Sequence, residues 1–257
     1  MAKQLNIISL GAGVQSSTMA LMAAKGHLAP EIDCGIFADT GWEPKAVYDW
    51  LSFLETELPF PIYRVSAGNL RTKILSEGYS DVPWHTEGGM GRRQCTKVFK
   101  LYPIRDKVKE LMGVSHGREL SESSVIMWVG ISKDEAFRVK PSTVKYIKNR
   151  WPLIEQGFRR HDCLDWMDKN GYSHPPRSAC IGCPYKSDSE WRDTKMDKIM
   201  WKEAVYVDKA IRNLGAGGKK QYMHRTCQPL DQIDFRNLED LGQFNMFNNE
   251  CEGMCGV

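Results

Sequence analysis

Leu5-Asn6-Ile7-Ile8-Ser9-Leu10-Gly11-Ala12-Gly13-Val14-Gln15-Ser16-Ser17-Thr18 is the stretch that decides how this chain is read. Leu5 to Leu10 is a short apolar run with β-branched residues, the pattern of a buried strand. Gly11 and Gly13 permit a tight turn with no Cβ to clash. Ser16, Ser17 and Thr18 then open an apolar helical stretch, Met19 to Ala24. Strand, glycine loop and helix in this order aim backbone N–H groups, hydroxyls and the positive helix end at one point. That is an anion site, most often for phosphate. The Gly-Lys-Ser/Thr ending of a Walker loop is absent, and Ser16 stands where a dinucleotide fingerprint has its third glycine. On this stretch alone a plain hydroxyl-rich turn is the alternative.

Outward from the loop, Glu31 to Ala38 reads as a second strand, ending in Asp39-Thr40-Gly41. Pro44 begins a helix that runs to about Leu58. Pro61 to Val65 is a third strand and Asn69 to Ser76 a short helix. This β–α–β–α–β order predicts a parallel sheet covered by helices. Ligands of such sheets lie beyond the carboxyl ends of the strands, where the Gly11 loop and Asp39-Thr40-Gly41 can line one crevice. Residues 78–92, glycine-rich around Trp84 and His85, read as a mobile loop over it. There follow a helix from Cys95 to Met112 with an interruption at Pro103, and a strand from Ser124 to Val129. Beyond them come an extended Trp151 to Ile154, a helix from Asp162 to Lys169, the tight turn Cys180-Ile181-Gly182-Cys183, and a long helix from Ser187 to Leu214. The expected organisation is a nucleotide-binding α/β domain over 1–155 and a cysteine-containing helical region over 156–257 that completes the site.

A chain of 257 residues can bury a sizeable core. Hydrophobic residues at 42% and charged residues at 26% are an ordinary globular mix. No apolar run has membrane-spanning length and no secretory signal is present, so a cytoplasmic protein is expected. The net charge of +3 is too small to imply nucleic-acid binding by itself. It is unevenly spread: residues 91–109 hold Arg92, Arg93, Lys97, Lys100, Arg105, Lys107 and Lys109 against Asp106 alone, and 133–160 is also basic. A basic middle suits a polyanionic substrate, with a solvated face as the plain alternative. Eight cysteines without a secretory signal favour metal or redox chemistry over a disulfide scaffold.

Five pieces in order now carry a resemblance: the Ser9–Thr18 loop; Asp39-Thr40-Gly41; Arg93-Gln94-Cys95-Thr96 with Lys97 and Lys100 before Pro103; Gly130-Ile131 with Asp134-Glu135; and Cys180-x-x-Cys183. Over residues 5 to about 185 the chain resembles the phosphoadenosine phosphosulfate (PAPS) reductase family of the PP-loop adenine nucleotide alpha-hydrolase superfamily. Its small phage-borne members and the ATP pyrophosphatase of DNA phosphorothioation look most alike. The resemblance implies an α/β fold, a parallel twisted sheet flanked by helices, with a cysteine-bearing C-terminal helical appendage. It implies an adenine nucleotide, ATP or PAPS with magnesium, held by Ser9, Gly11, Gly13, Gln15, Ser16, Ser17, Asp39, Thr40 and Gly130. Asp39 would approach the ribose, the magnesium or the loop, or else cap the helix at Pro44. Arg93, Lys97 and Arg138 would neutralise charge near the reacting phosphorus or sulfur; solvated surface is the alternative for each. Glu135 would orient Lys133 or Arg138, or merely pair with them.

Cys180 and Cys183, in a glycine-containing turn, can place two sulfurs on one metal. By the resemblance Cys95 joins them in a [4Fe-4S] cluster, with zinc as the alternative; Cys255 or Cys251 is the expected fourth ligand, with Cys227, Cys163 or a position left open for sulfur as the alternatives. Cys251 also resembles the tail nucleophile of PAPS reductases, although Glu250-Cys251-Glu252-Gly253 carries one residue more than Glu-Cys-Gly. Cys34 and Cys163 read as buried apolar residues.

The resemblance implies two functions, and a third reading from a different class stands beside them. One is an Fe-S-dependent ATP pyrophosphatase and sulfurtransferase that adenylates and thiolates a nucleic acid, tRNA or DNA, with a cysteine-desulfurase partner and the basic middle on the phosphate backbone. Another is a PAPS or adenylyl-sulfate (APS) reductase that releases sulfite with a thioredoxin-like partner. The third reading is a non-catalytic nucleotide- or nucleic-acid-binding protein with structural zinc. A homodimer is compatible with each, and a membrane with none.

Overall fold

The structure, a computed structural model, describes residues 4–78, 82–114 and 120–235. Its strands are β1 (Leu5–Ser9), β2 (Cys34–Asp39), β3 (Ile62–Ser66), β4 (His85–Thr86), β5 (Gly89–Met90), β6 (Val125–Val129) and β7 (Ile147–Arg150). Its helices are α1 (Val14–Ala24), α2 (Lys45–Glu57), α3 (Leu70–Glu77), α4 (Tyr102–Leu111), α5 (Pro152–Glu155), α6 (Arg160–Lys169), α7 (Asp188–Met196) and α8 (Lys198–Ile211). β4 and β5 form a small antiparallel hairpin. The other five strands make one parallel sheet in the order β3-β2-β1-β6-β7. The sheet is flanked by helices, as the β–α–β order predicts.

Alternation along the central strands feeds two cores. Ile8 and Phe37 face a cluster built with α1, α2 and α6, while Ile7 and Ile36 face one built with α4. A third cluster joins Trp42, Ile74, Trp84 and Phe99 to Trp191 of α7 and Val207 of α8. β1 is central. The chain winds from it to β2 and β3 on one side, then crosses to β6 and β7 on the other. Winding therefore reverses between β1 and β6, the kind of switch point at which open α/β sheets leave a crevice.

Several elements differ from the sequence expectation, each for a local reason. The helix expected from Cys95 opens with a π turn, Lys97–Leu101, before α4. Pro103 has no N–H to donate and its ring crowds the carbonyl one turn back, so the helix widens there. The long C-terminal helix breaks at Asp197, whose extended backbone (φ −85°, ψ 104°) and carboxylate cap the N–H groups of Ile199 and Met200. Trp151 to Ile154 is not extended: Pro152 starts the short α5, and the edge strand lies just before it. α6 begins at Arg160, two residues earlier than expected, because the Asp162 carboxylate accepts the Arg159 N–H from within the first turn (2.7 Å). The Trp84 region is anchored: Trp84 is fully buried, the His85 N–H donates to the Tyr222 carbonyl (2.8 Å), and the His85 ring bonds the Pro184 carbonyl (3.1 Å).

Candidate functional site

β1 delivers the chain to the loop at Ser9, paired with Ile36 on one side and Val129 on the other. The residue that takes the left-handed turn is Ala12 (φ +58°), not either glycine. An alanine there costs about 1–2 kcal/mol. Gly13 follows in an extended conformation (φ −95°, ψ −176°) and starts α1 without a side-chain cap. Instead Ser16 ties the loop from inside, its Oγ accepting the Gly11 N–H (3.2 Å) and donating to the Gly13 carbonyl (3.4 Å). First-turn N–H groups have no helical carbonyl to bond, so the loop and the helix end form a concavity suited to an anion.

Gly130 and Ser17 each have a packing role beside the loop. A Cβ on Gly130 would lie 2.7 Å from Ser16 Cα and 2.7 Å from Ser16 N, so its bare Cα is what seats α1 on the exit of β6. Ser17 Oγ accepts the Trp50 indole N–H (2.9 Å) and is fully buried, which commits it to the packing of α1 on α2.

Beside the loop lies a buried polar bridge. Gln15, fully buried, donates from Nε2 to Glu135 Oε2 (3.2 Å) and Ser132 Oγ (3.5 Å), and its Oε1 accepts from Arg160 Nη1 (2.9 Å). Arg138 Nη1 donates to the same Glu135 oxygen at 2.6 Å. Glu135 is thus paired with Arg138. Arg160 was outside the sequence expectation: its partner is 145 residues away and no local pattern announces it.

On the other side of the loop, at the end of β2, lies a cleft of about 500 Å³ that includes space open to solvent. Cys95, Cys180 and Cys183 all line it, with Arg93, Lys100 and Thr40. Asp39 spends Oδ1 on the Gly41 N–H (2.7 Å) and the Tyr48 hydroxyl (2.8 Å), so it fastens its own turn and does not cap α2. Thr40 Oγ1 touches Cys180 Sγ (3.3 Å) and donates to Glu43 Oε1 (3.4 Å), which places it at the thiols. The Cys180 S–H also reaches Glu43 Oε1 (3.8 Å), and Lys100 Nζ lies 3.5 Å from that oxygen. Burial first, then the Glu43 carboxylate, push the Cys180 thiol well up. Burial lowers the neighbouring Lys186 ammonium to about 8.

Arg93 stacks over the Tyr185 ring (4.9 Å) and donates from Nε to Thr96 Oγ1 (3.1 Å). Lys97 is exposed and lies over Tyr102 (5.6 Å), away from the cleft. The buried Phe99 and Leu101 fix the phase of the π turn so that Lys100 faces inward in its place. A Cβ on Gly182 would fall 2.3 Å from Trp42 Cη2, so only glycine fits that turn position. Cys34 and Cys163 are buried as expected, with the Cys34 thiol pushed up to about 12 by burial. Cys251 and Cys255 lie outside the described residues.

Loop and cleft share one segment. The Ser178 hydroxyl donates to the Gly11 carbonyl, and two residues on Cys180 meets Thr40 and Glu43. The parts therefore define an α/β protein with a switch-point glycine loop set directly beside a three-thiol cleft. No protein-family model and no curated protein sequence matches the chain. Among solved structures it is similar to the phosphate complex of phosphoadenylyl-sulfate (PAPS) reductase from Candida auris, with a TM-score of 0.45 and 14% identity. That match covers 66% of this chain and 74% of the other.

Proposed function

We propose that the chain is a PP-loop enzyme that works at the α-phosphate or sulfate end of an adenine nucleotide. On this reading it uses ATP to adenylate an oxygen of a nucleic-acid acceptor and supports replacement of that oxygen by sulfur. The observation that carries the reading is the shared segment: Ser178 bonds the Gly11 loop while Cys180, two residues on, lines the thiol cleft. A nucleotide whose phosphates sit in the loop has the three thiols as close neighbours. The acceptor oxygen attacks the α-phosphorus, pyrophosphate leaves, and a sulfur nucleophile then displaces AMP. The loop N–H groups and the α1 terminus hold phosphate oxygens; Arg93 and Lys100 stand as fixed cations on the thiol side, where charge develops. Magnesium accompanies the triphosphate as part of the substrate.

Three thiols around one cleft are the donor type that a [4Fe-4S] cluster or zinc takes. Cys95, Cys180 and Cys183 would hold it, and a cluster there would carry or activate sulfur. Among the described residues no group of three His, Cys, Asp or Glu stands at metal-holding distance. Cys255 remains the proposed fourth ligand and Cys251 the alternative.

The test is pyrophosphate release from ATP by anaerobically prepared protein, beside sulfite release from PAPS with reduced thioredoxin. Pyrophosphate without sulfite is the expected result. Sulfite without pyrophosphate overturns adenylation in favour of the reductase.

A further inference from the structure

We propose that Lys186 is a positioning residue whose buried ammonium is the fixed counter-charge of the metal–thiolate group held by Cys95, Cys180 and Cys183. This rests on the metal reading of the thiol cleft.

Two successive backbone turns carry the chain from the thiols to this lysine. The Cys183 N–H donates to the Cys180 carbonyl (3.1 Å), and the Lys186 N–H donates to the Cys183 carbonyl (3.2 Å). The side chain then packs against α7 and is 8% exposed. Its Nζ donates to Thr194 Oγ1 (2.7 Å) and lies 4.9 Å from the centre of the fully buried Trp191 ring. Thr194 donates its own proton to the Glu190 carbonyl (2.7 Å), so its oxygen accepts from the lysine.

An ammonium carries three donors, and Thr194 takes one of them. Among the described residues no carboxylate forms an ion pair with Lys186. The acids of the surrounding segments are engaged elsewhere: Glu43 with Lys100 (3.5 Å), and Glu190 with Arg177 and with the Ser187 N–H and hydroxyl. Taking a charge out of water is costly unless an anion offsets it. The sulfurs are the source of negative charge that remains. Burial opposes the ammonium most, and the Cys183 thiolate is foremost among the groups that favour it, ahead of Cys180 and Glu43, while Arg177 opposes it. Three thiolates on a divalent ion leave one net negative charge, and little water screens such a group from a buried cation. A methionine would fill the same space beside Trp191 without the desolvation penalty. The charge therefore works against the metal-free fold and for the loaded one.

The experiment uses the full chain, prepared without oxygen, as the parent, K186M and K186R. One readout is the affinity for cobalt(II) against a competing chelator, or, after loading with iron and sulfide, the rate at which the chelator strips the cluster. The other is the urea midpoint of the metal-free chain. Lys186→Met should weaken cobalt(II) binding, or speed cluster loss, by roughly 10- to 100-fold, the range for groups that support metal ligands. Its metal-free midpoint should equal or exceed the parent's. K186R keeps the charge and should hold the metal more tightly than K186M. Unchanged metal retention in K186M, or equal loss in K186R and K186M, overturns the inference and leaves the metal reading standing. A metal-free K186M that is less stable than the parent, or does not fold, gives Lys186 a packing role and overturns the inference as well. A parent that takes up neither cobalt(II) nor a cluster overturns both.

Discussion

A methyl group on Gly130 would stand 2.7 Å from both the backbone N and the Cα of Ser16. The end of β6 and the first turn of α1 are thus in backbone contact at the switch point. This contact sets where the N–H groups of the Gly11 loop point. Gly130→Ala must push α1 away, because backbone cannot yield as a flexible side chain can. The expected loss is about 1–3 kcal/mol, as for other overpacked sites. Urea denaturation would measure it, and ATP affinity should fall beyond what the remaining folded fraction explains. Unchanged affinity would show that the loop does not depend on this contact.

Neighbouring serines of α1 should separate cleanly. Ser17→Ala removes the acceptor of the Trp50 indole N–H in the core and should cost about 1–3 kcal/mol of stability with nucleotide affinity intact. Ser16→Ala frees the Gly11 N–H and the Gly13 carbonyl and should weaken nucleotide binding. Thermal melts and ATP titrations on the two variants read both effects.

Glu43 holds the Cys180 thiol in its neutral form together with burial. Metal-free protein should therefore alkylate slowly at Cys180 near neutral pH, since the thiolate is the reactive species. Glu43→Gln removes the repulsion that opposes the thiolate, so Cys180 alkylation should accelerate. Timed iodoacetamide labelling read by mass spectrometry checks the direction. A slower rate in E43Q would contradict the electrostatic role.

His224 anchors the C-terminal segment, with Nε2 bonded to Asp188 Oδ1 at 2.8 Å and Nδ1 to Thr226 Oγ1 at 2.9 Å. Burial lowers its pKa below the ordinary 6.5, outweighing the bond to Asp188. The unfolded chain therefore binds a proton at higher pH than the folded one, and stability rises with pH through the window that ends near 6.5. Stability should decline as the pH falls below that value and level off once the folded state is protonated. His224→Gln should flatten this part of a urea-melt pH series. His85, also lowered by burial, contributes in the same sense.

Asp208 is a second anchor of that segment. It is buried, and its carboxylate accepts the Met223 N–H (2.9 Å), the Leu230 N–H (3.1 Å) and Arg212 Nη2 (2.5 Å). Asp208→Ala leaves a half-buried guanidinium and two N–H groups without their acceptor and should cost about 3–5 kcal/mol. Asp208→Asn, which keeps one acceptor oxygen, should cost less. Equal urea midpoints for the two variants would argue against this account.

The order of elements was legible because each rests on local pattern. The apolar runs at Leu5 and Cys34, the glycine loop, and the spacing of Cys180 and Cys183 need no distant partner to be recognised. The phase of the helix after Cys95 was not legible. Pro103 was visible, but the π turn that sends Lys97 outward and Lys100 inward depends on where Phe99 packs. Glu43 stood in plain sight before Pro44, yet its meeting with Lys100 joins the end of β2 to the π turn. Arg160 had no local signal at all.

By itself, then, the sequence determined the parallel α/β frame, the glycine loop at the end of its first strand, and a pair of thiols in one turn. Periodicity, glycine and residue spacing act over a few residues, and these features need nothing longer. Only the tertiary structure decided which groups face which site. It placed Cys95 in the cleft of Cys180 and Cys183, set Ser178 against Gly11, turned Ser17 into the core, and brought Arg160 to Gln15. Side-chain direction follows from packing between segments far apart in the chain, and only the folded arrangement brings such segments together.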